Sequence, residues 1–342
     1  MSGMRHEPIG TAVIGAGYWG RNYVRNLAGL PESRLRWVCD LDPAARQRAQ
    51  RTAEVKVTDD LRAVLDDGGV QAVVIATHAA LHYEHAMAAL AADKHVLVEK
   101  PMATALEQAQ QMVAMAAERR RVLMVGHLML YHPAVERLQQ LVQSGELGTI
   151  YYLYALRVNL GRIRSDENAL WSFGPHDLCV IQSLVDAAPR SIAARGQAYL
   201  QPAVEDVVFV NLVFEDQTMA QIQLSWLDPR KERRLTVVGS RKMVVFDDTH
   251  ASEKLRIFDK GFDRPPEYDD YGDYLSLRDG DIHIPHISLA EPLAAECRHF
   301  LHCVATGERP RSPGEQGLEV VRLLAAAQRS IAGGGRPLPL GT

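Results

Sequence analysis

Two residues in this chain have the type and setting to move a proton, Lys100 and His176. Lys100 stands in Leu97-Val98-Glu99-Lys100-Pro101, where an apolar strand runs into a carboxylate, an amine and a proline. A strand end is rigid scaffold and the proline constrains the next turn, so the amine projects at one angle. With a pKa lowered by burial and nearby positive charge, the amine would serve as a base. Left charged, it would stabilise a developing alkoxide. His176 stands in Trp171-Ser172-Phe173-Gly174-Pro175-His176-Asp177. Proline suits the first position of a helix, so the spacing predicts a helix over residues 175–185 with His176 and Asp177 in its first turn. The positive end of that helix would disfavour protonation and leave the imidazole neutral, able to act as a base. Which of the two takes the proton stays open.

Something must hold these groups against a ligand. The run Ile9 to Ile14 predicts a buried strand, and Gly15-Ala16-Gly17-Tyr18-Trp19-Gly20 follows it. Such glycines allow a tight turn, close approach of the backbone to a pyrophosphate, and packing of the next helix, residues 19–30, whose N-terminus offers free amides. The next strand ends on Asp40, twenty residues past Gly20, where a carboxylate accepts hydrogen bonds from ribose hydroxyls. A carboxylate there repels a 2′-phosphate, and Leu41-Asp42-Pro43 offers no arginine, so NAD is favoured over NADP. Arg46 is the nearest basic residue.

Strand and helix patterns then alternate: a strand over 72–76 followed by Thr77-His78, a helix over 81–92, a strand over 95–98, a helix over 106–119 and a strand over 122–125. This predicts an α/β fold, a doubly wound parallel sheet in a dinucleotide-binding domain of residues 1–125, with ligands beyond the carboxyl ends of the strands. Gly15, Asp40, Thr77, Glu99 and Gly126 fall at such ends. Tyr18, Trp19, Leu41, His78 and His82 adjoin them and, with Trp171, complete the expected cofactor lining. His78, His82 and His85 have helical spacing but no acidic or thiol partners, so no metal site is read there, and His85 is a packing or surface histidine.

From Gly126 onward the texture changes. Alternating runs over 149–159, 192–200, 204–214, 219–226, 234–238 and 242–246 predict a large, open, mostly antiparallel sheet in a substrate domain of residues 126–342. Helices over 175–185, 292–306 and 314–332 should cover one face. The other face should be covered by a further copy of the chain, in a homodimer or homotetramer. Residues 258–286 carry no clear period and read as a long surface loop or a substrate lid, in which Tyr271 and Arg278 suit stacking and polar contacts.

Length and charge exclude other classes. The 342 residues, 47% hydrophobic, suffice for about two domains, and a formal charge of -4 marks neither a nucleic-acid nor an anionic-membrane binder. Cys39, Cys179, Cys297 and Cys303 lack paired spacing and read as reduced thiols, which fits a cytoplasmic setting. The first apolar run is only six residues, too short for a signal or membrane segment.

The glycine turn, Asp40, Val98-Glu99-Lys100-Pro101 and Pro175-His176-Asp177, in this order, resemble the Gfo/Idh/MocA oxidoreductase family over nearly the whole chain. The resemblance implies a Rossmann domain, an open-sheet second domain, a nicotinamide cofactor and a sugar or polyol substrate whose hydroxyl lies by Lys100, with the next peptide bond often cis. One departure matters: many members carry an aspartate four residues before the histidine, and this chain has Ser172. Asn159-Leu160-Gly161-Arg162-Ile163-Arg164, Gly280-Asp281-Ile282-His283-Ile284-Pro285 and Glu296-Cys297-Arg298-His299-Phe300 further resemble the nucleotide-sugar branch, which oxidises C3 of UDP-N-acetylglucosamine or its uronic acid. On that likeness Arg157, Asn159, Arg162 and Arg164 supply donors for a diphosphate or carboxylate, or else salt bridges on a sheet edge. Ser172, His176 and Asp177 complete the implied substrate set. Alternatives within the family are an inositol or other sugar dehydrogenase and a deoxysugar-nucleotide ketoreductase. Outside enzymes, the alternative is a dinucleotide-binding sensor.

Overall fold

A six-stranded parallel sheet forms the centre of the first of two compact units in this computed structural model, which describes residues 7–161, 163–263, 276–288 and 290–341. Its strands are β1 (Ile9–Ile14), β2 (Ser33–Cys39), β3 (Lys56–Thr58), β4 (Ala72–Ile75), β5 (His95–Val98) and β6 (Leu123–Val125), in the order β3-β2-β1-β4-β5-β6. β1, β4 and β6 are buried along their whole length, and β5 beyond His95, because helices cover both faces of a parallel sheet. The connecting helices are α1 (Gly20–Gly29), α2 (Pro43–Thr52), α3 (Leu61–Leu65), α4 (Ala79–Ala91) and α5 (Leu106–Arg119). Asp42 and Asp60 cap α2 and α3: each accepts an N–H two residues on, from Ala44 and Arg62, at 2.9 Å.

The second unit contains β7 (Ile150–Leu160), β8 (Pro189–Gln197), β9 (Val207–Phe214), β10 (Met219–Ser225), β11 (Leu227–Gly239), β12 (Met243–Asp247), β13 (Leu255–Asp263), β14 (Ser276–His283) and β15 (Leu338–Pro339). They form one sheet in the order β14-β13-β12-β11-β7-β10-β9-β8-β15, antiparallel except where β7 runs parallel to β10. Helices α6 (Pro133–Gln143) and α7 (Ala169–Leu184) pack on it. On β7, Leu153, Ala155 and Arg157 are buried while Tyr152 and Tyr154 face away; Met219 on β10 and Phe209 on β9 are likewise exposed.

Three features differ from the sequence reading. The compact units do not follow domains 1–125 and 126–342: the second begins at His132, and residues Ala290–Arg322 pack with the first. These include α8 (Pro292–Thr306), which lies on α1, burying Leu293, Cys297 and Phe300 beside Tyr23, Val24 and Leu27. Part of the aperiodic 258–286 stretch is hairpin β13-β14, an edge held by Lys260–Asp279 at 2.7 Å and Arg278–Asp259 at 3.4 Å. Charged cross-strand pairs leave no apolar alternation to read. Third, α7 begins at Ala169, capped by Asn168, so Pro175 lies inside it and His176 well past its first turn. Asn168 Oδ1 accepts the Trp171 amide at 3.1 Å, and its Nδ2 donates to Glu205 and Gln328 at 2.5 and 2.8 Å. That cap outweighs the start signal at Pro175. The dipole reason for a neutral His176 falls with it. All four cysteines are buried thiols outside any disulfide.

Candidate active site

In the first unit, the backbone after β1, β4, β5 and β6 continues the sheet by one hydrogen bond. Gly15 N donates to Cys39 O, Ala76 N to Ile14 O, Glu99 N to Ile75 O and Gly126 N to Val98 O, at 2.8 to 2.9 Å. This brings Gly15, Thr77, Glu99, Lys100 and Gly126 to one end of the sheet, on fixed backbone. Gly15 has φ +87°, and a Cβ there would meet Ala76 and Thr77 backbone at 2.8 Å. A Cβ on Gly20 would lie 1.9 Å from Gly15 O. Only glycine closes the turn.

The turn fits a dinucleotide. Around Gly17 a Cβ would meet nothing within 4 Å, which is room for a pyrophosphate. No side chain caps α1 and its first turn holds no acid, so its N-terminal dipole faces a ligand unopposed. Asp40 Oδ2 accepts the Ala16 amide at 2.6 Å and Oδ1 the Asp42 amide at 2.8 Å, which fixes the carboxylate at the tip of β2. Tyr18 and Leu41, each 80% exposed, and the partly exposed Trp19 are apolar surface beside it. Arg46 is spent: it donates to Asp40 O at 2.6 Å and Leu41 O at 3.1 Å and lies 3.5 Å from Asp59.

Glu99 is buried and its carboxylate is fully engaged. Oε1 accepts from the Trp19 indole and from the Tyr23 hydroxyl at 2.7 Å; Oε2 accepts from the Lys100 amide at 3.0 Å. Burial pushes its pKa up while these donors and the Lys100 charge pull it down. Glu99 thus ties the glycine turn to the base of Lys100. A Cβ on Gly126 would press at 3.2 Å on both Glu99 and Tyr23, so the small residue makes space for this contact. The Lys100–Pro101 peptide is cis, as the family resemblance implies, and Lys100 is half-buried.

His82 is buried with Nδ1 at 2.8 Å from Pro101 O and Nε2 at 3.1 Å from Thr77 O, so its ring clasps two strand-end turns together and presents no polar edge to a cofactor. Burial lowers its pKa. His85 packs on Thr77 Oγ1 at 3.2 Å, and His78 is exposed ahead of α4. His127 is missed by the sequence reading. It follows Gly126 at the end of β6, is 1% exposed, and neither ring nitrogen has a hydrogen-bond partner among the described residues. Burial, then the charge of Lys100, lowers its pKa to about 3. Its position next to a strand-end glycine was the available signal.

In the second unit, α7 presents half-buried Trp171 and His176 with buried Ser172 and Asp177. Asp177 is taken by Arg157: Nε donates to Oδ2 at 2.7 Å and Nη2 to Oδ1 at 3.0 Å, both side chains buried. Burial works against the guanidinium charge, but Asp177 outweighs it and holds the pKa above its ordinary value. Arg164 pairs with Glu167 at 2.7 Å, and Arg278 pairs with Asp259 and donates to Arg241 O. Of the arginines expected to face a substrate, these three have protein carboxylates as partners. Asn159 is half-buried at the end of β7, and Arg162 and Tyr271 lie outside the described residues. Lys100 belongs to the first unit and His176 to the second. No group of three His, Cys, Asp or Glu able to hold a metal occurs among the described residues.

Comparison with known proteins agrees with this fold. A family model described as an oxidoreductase family with an NAD-binding Rossmann fold matches residues 9–127, and a GFO/IDH/MocA C-terminal domain model matches residues 135–245. The chain is 28% identical over 329 residues to UDP-N-acetylglucosamine 3-dehydrogenase of Acidithiobacillus ferrooxidans, covering 94% of this chain and 96% of that one. It is 24% identical over 324 residues to the NAD-dependent scyllo-inositol 2-dehydrogenase of Bacillus subtilis, covering 90% and 89%. Among solved structures, GenD2 from gentamicin A biosynthesis in complex with NAD superposes with a TM-score of 0.83 at 26% identity, covering 98% and 97%.

Proposed function

The chain belongs to the Gfo/Idh/MocA oxidoreductase family, and on that premise we propose that it oxidises the C3 hydroxyl of a UDP-N-acetylhexosamine, either UDP-N-acetylglucosamine or its uronic acid, with NAD. The observation that carries the reading is Lys100, half-buried at the same sheet end as the glycine turn and based on a fully engaged Glu99. Bound NAD supplies the hydride acceptor. The turn from Gly15 to Gly20 and the α1 N-terminus hold its pyrophosphate, and Asp40 holds the ribose. Tyr18, Trp19, Leu41, Thr77 and His78 line it. Preference for NAD over its 2′-phosphate is supported by the Asp40 carboxylate and by the engagement of Arg46 with backbone and Asp59.

Lys100 and His176 are the groups proposed for the substrate proton. As an ammonium, Lys100 stabilises the alkoxide; as an amine, it accepts the proton. Arg157 and Asp177 act by setting α7, while Asn159, Ser172, Arg164 and Arg278 remain the substrate-facing candidates. The nucleotide-sugar substrate is supported by the relative from Acidithiobacillus ferrooxidans, similar along nearly all of both chains. Exposed Tyr152, Phe209 and Met219 support a homodimer or homotetramer through the sheet of the second unit, which light scattering checks.

The test is to mix the full chain with NAD or NADP and, separately, UDP-N-acetylglucosamine, its uronic acid and free inositols, following reduced cofactor by absorbance. Reduction of NAD with a UDP-sugar is expected, and Lys100→Ala should lower turnover at least about 100-fold while NAD still binds. Activity on inositol alone, or near-normal turnover by the variant, overturns the reading.

A further inference from the structure

Behind Glu99, in the first unit, lies a second carboxyl that the proposed chemistry does not use. Glu296 on α8 is wholly buried. Its Oε2 lies 3.2 Å from the Tyr23 hydroxyl, which lies 2.7 Å from Glu99 Oε1. Among the described residues the remaining oxygen, Oε1, has no hydrogen-bond partner. A phenol has one proton. Glu99 already receives the Trp19 indole and the Lys100 amide, and the phenolic proton makes its third donor. If Glu296 were also ionised, its charge would face the lone pairs of Tyr23 in a fully buried site with no donor of its own among the described residues.

We propose that Glu296 is a neutral carboxylic acid in the folded protein, its O–H donating to Tyr23 and the Tyr23 O–H to Glu99, so that the three side chains hold one negative charge, on Glu99 beneath Lys100.

Burial and the Glu99 charge favour a neutral Glu296 and outweigh the Tyr23 hydrogen bond, which works the other way. Tyr23 on α1 and Glu99 after β5 are the groups that bear on Glu296. Cys297 is its neighbour on α8, and Tyr131 faces it from the turn Leu128–Tyr131. Of the cations, Lys100 acts on Glu99, Arg298 on Cys297 and Arg311 on Tyr131. β1, also packed on α8, has no titratable side chain. Burial, and then the Glu99 charge, push the Glu296 carboxyl well above the ordinary carboxylate range, and burial also raises Tyr23. Glu296 is thus a positioning residue: it obliges Tyr23 to donate toward Glu99, and Glu99 carries the Lys100 turn. Only this last consequence depends on the proposed dehydrogenase chemistry.

The protonation is tested without any substrate. At about pH 8 the infrared spectrum of the full chain should contain the carbonyl stretch of a protonated carboxylic acid, absent in Glu296→Gln and shifted in Tyr23→Phe. Glu296→Gln keeps the shape and the zero charge. An acid whose folded pKa is raised loses stability as pH climbs above its unfolded value, because only the unfolded chain releases the proton. From about pH 5 to pH 8, the folding equilibrium constant of the wild type should therefore fall about tenfold per pH unit relative to Glu296→Gln in urea unfolding. No band, a band that persists in Glu296→Gln, or a ratio flat with pH overturns the proposal. Loss of the dehydrogenase reading alone would leave all three measurements unchanged.

Discussion

Arg157 and Asp177 illustrate how a polar residue expected to meet a ligand can have another protein group as its partner. Two parallel N–H···O bonds at 2.7 and 3.0 Å, in a buried site, hold β7 to α7 one residue from His176. Such a pair is costly to break, because the survivor is a buried charge without its counterion. Asp177→Asn should cost about 3–5 kcal/mol in urea unfolding, and the double change Arg157→Met with Asp177→Leu should recover most of it. A loss below about 1 kcal/mol for Asp177→Asn would mean water reaches the pair. Glu99 teaches the same lesson. Its place at a strand end is legible in sequence, but its partners Trp19 and Tyr23 come from a turn and helix some eighty residues earlier, and no local pattern announces them.

Elements divide by what specifies them. The parallel strands and the glycine turn are legible because their demands are local: apolar runs for a sheet covered on both faces, and glycine where a Cβ would strike Ala76 or Gly15. Helices α8 and α9 (Gly314–Ala332) are legible from end signals, Pro292 at one start and Gly307 in left-handed geometry at one end. The start of α7 is not, since two signals compete and the winner, Asn168, gains its advantage from Glu205 and Gln328, far away in sequence. Asn168→Ala should therefore cost more than an isolated cap, about 2 kcal/mol, and lower the helical signal. A loss under about 0.5 kcal/mol would show that Pro175 suffices to start the helix. Edge strand β14 escapes sequence reading because none of its side chains is buried among the described residues and ion pairs join it to β13.

At the scale of the whole chain, pH acts on the buried groups in opposite directions. Burial keeps His127 neutral, with its pKa lowered to about 3, and lowers His82 and His132 as well. The unfolded chain takes up these protons below about pH 6.5 and the folded one does not, so their contribution is lost as pH falls from there toward the folded value. Glu99 and Glu296, both raised, act in the opposite sense and lose stability as pH rises above about 4.3. Stability should peak near about pH 6, and His127→Gln should remove about 1.4 kcal/mol of acid loss per pH unit between about pH 6 and pH 4. Unfolding series at fixed pH check both, and a His127→Gln curve parallel to the wild type would place a proton on His127 in the fold.

The four buried thiols make the molecule its own reporter of breathing. A thiol reagent reaches Cys39, at the end of β2, or Cys297 and Cys303, in α8, only when the first unit opens locally, and Cys179, in α7, only when the second does. Labelling rates site by site would therefore rank the opening free energies of the two units in one unmodified chain. Equally, a single cysteine added on the surface would react alone, giving a clean attachment point for a dye or spin label without first removing any native residue.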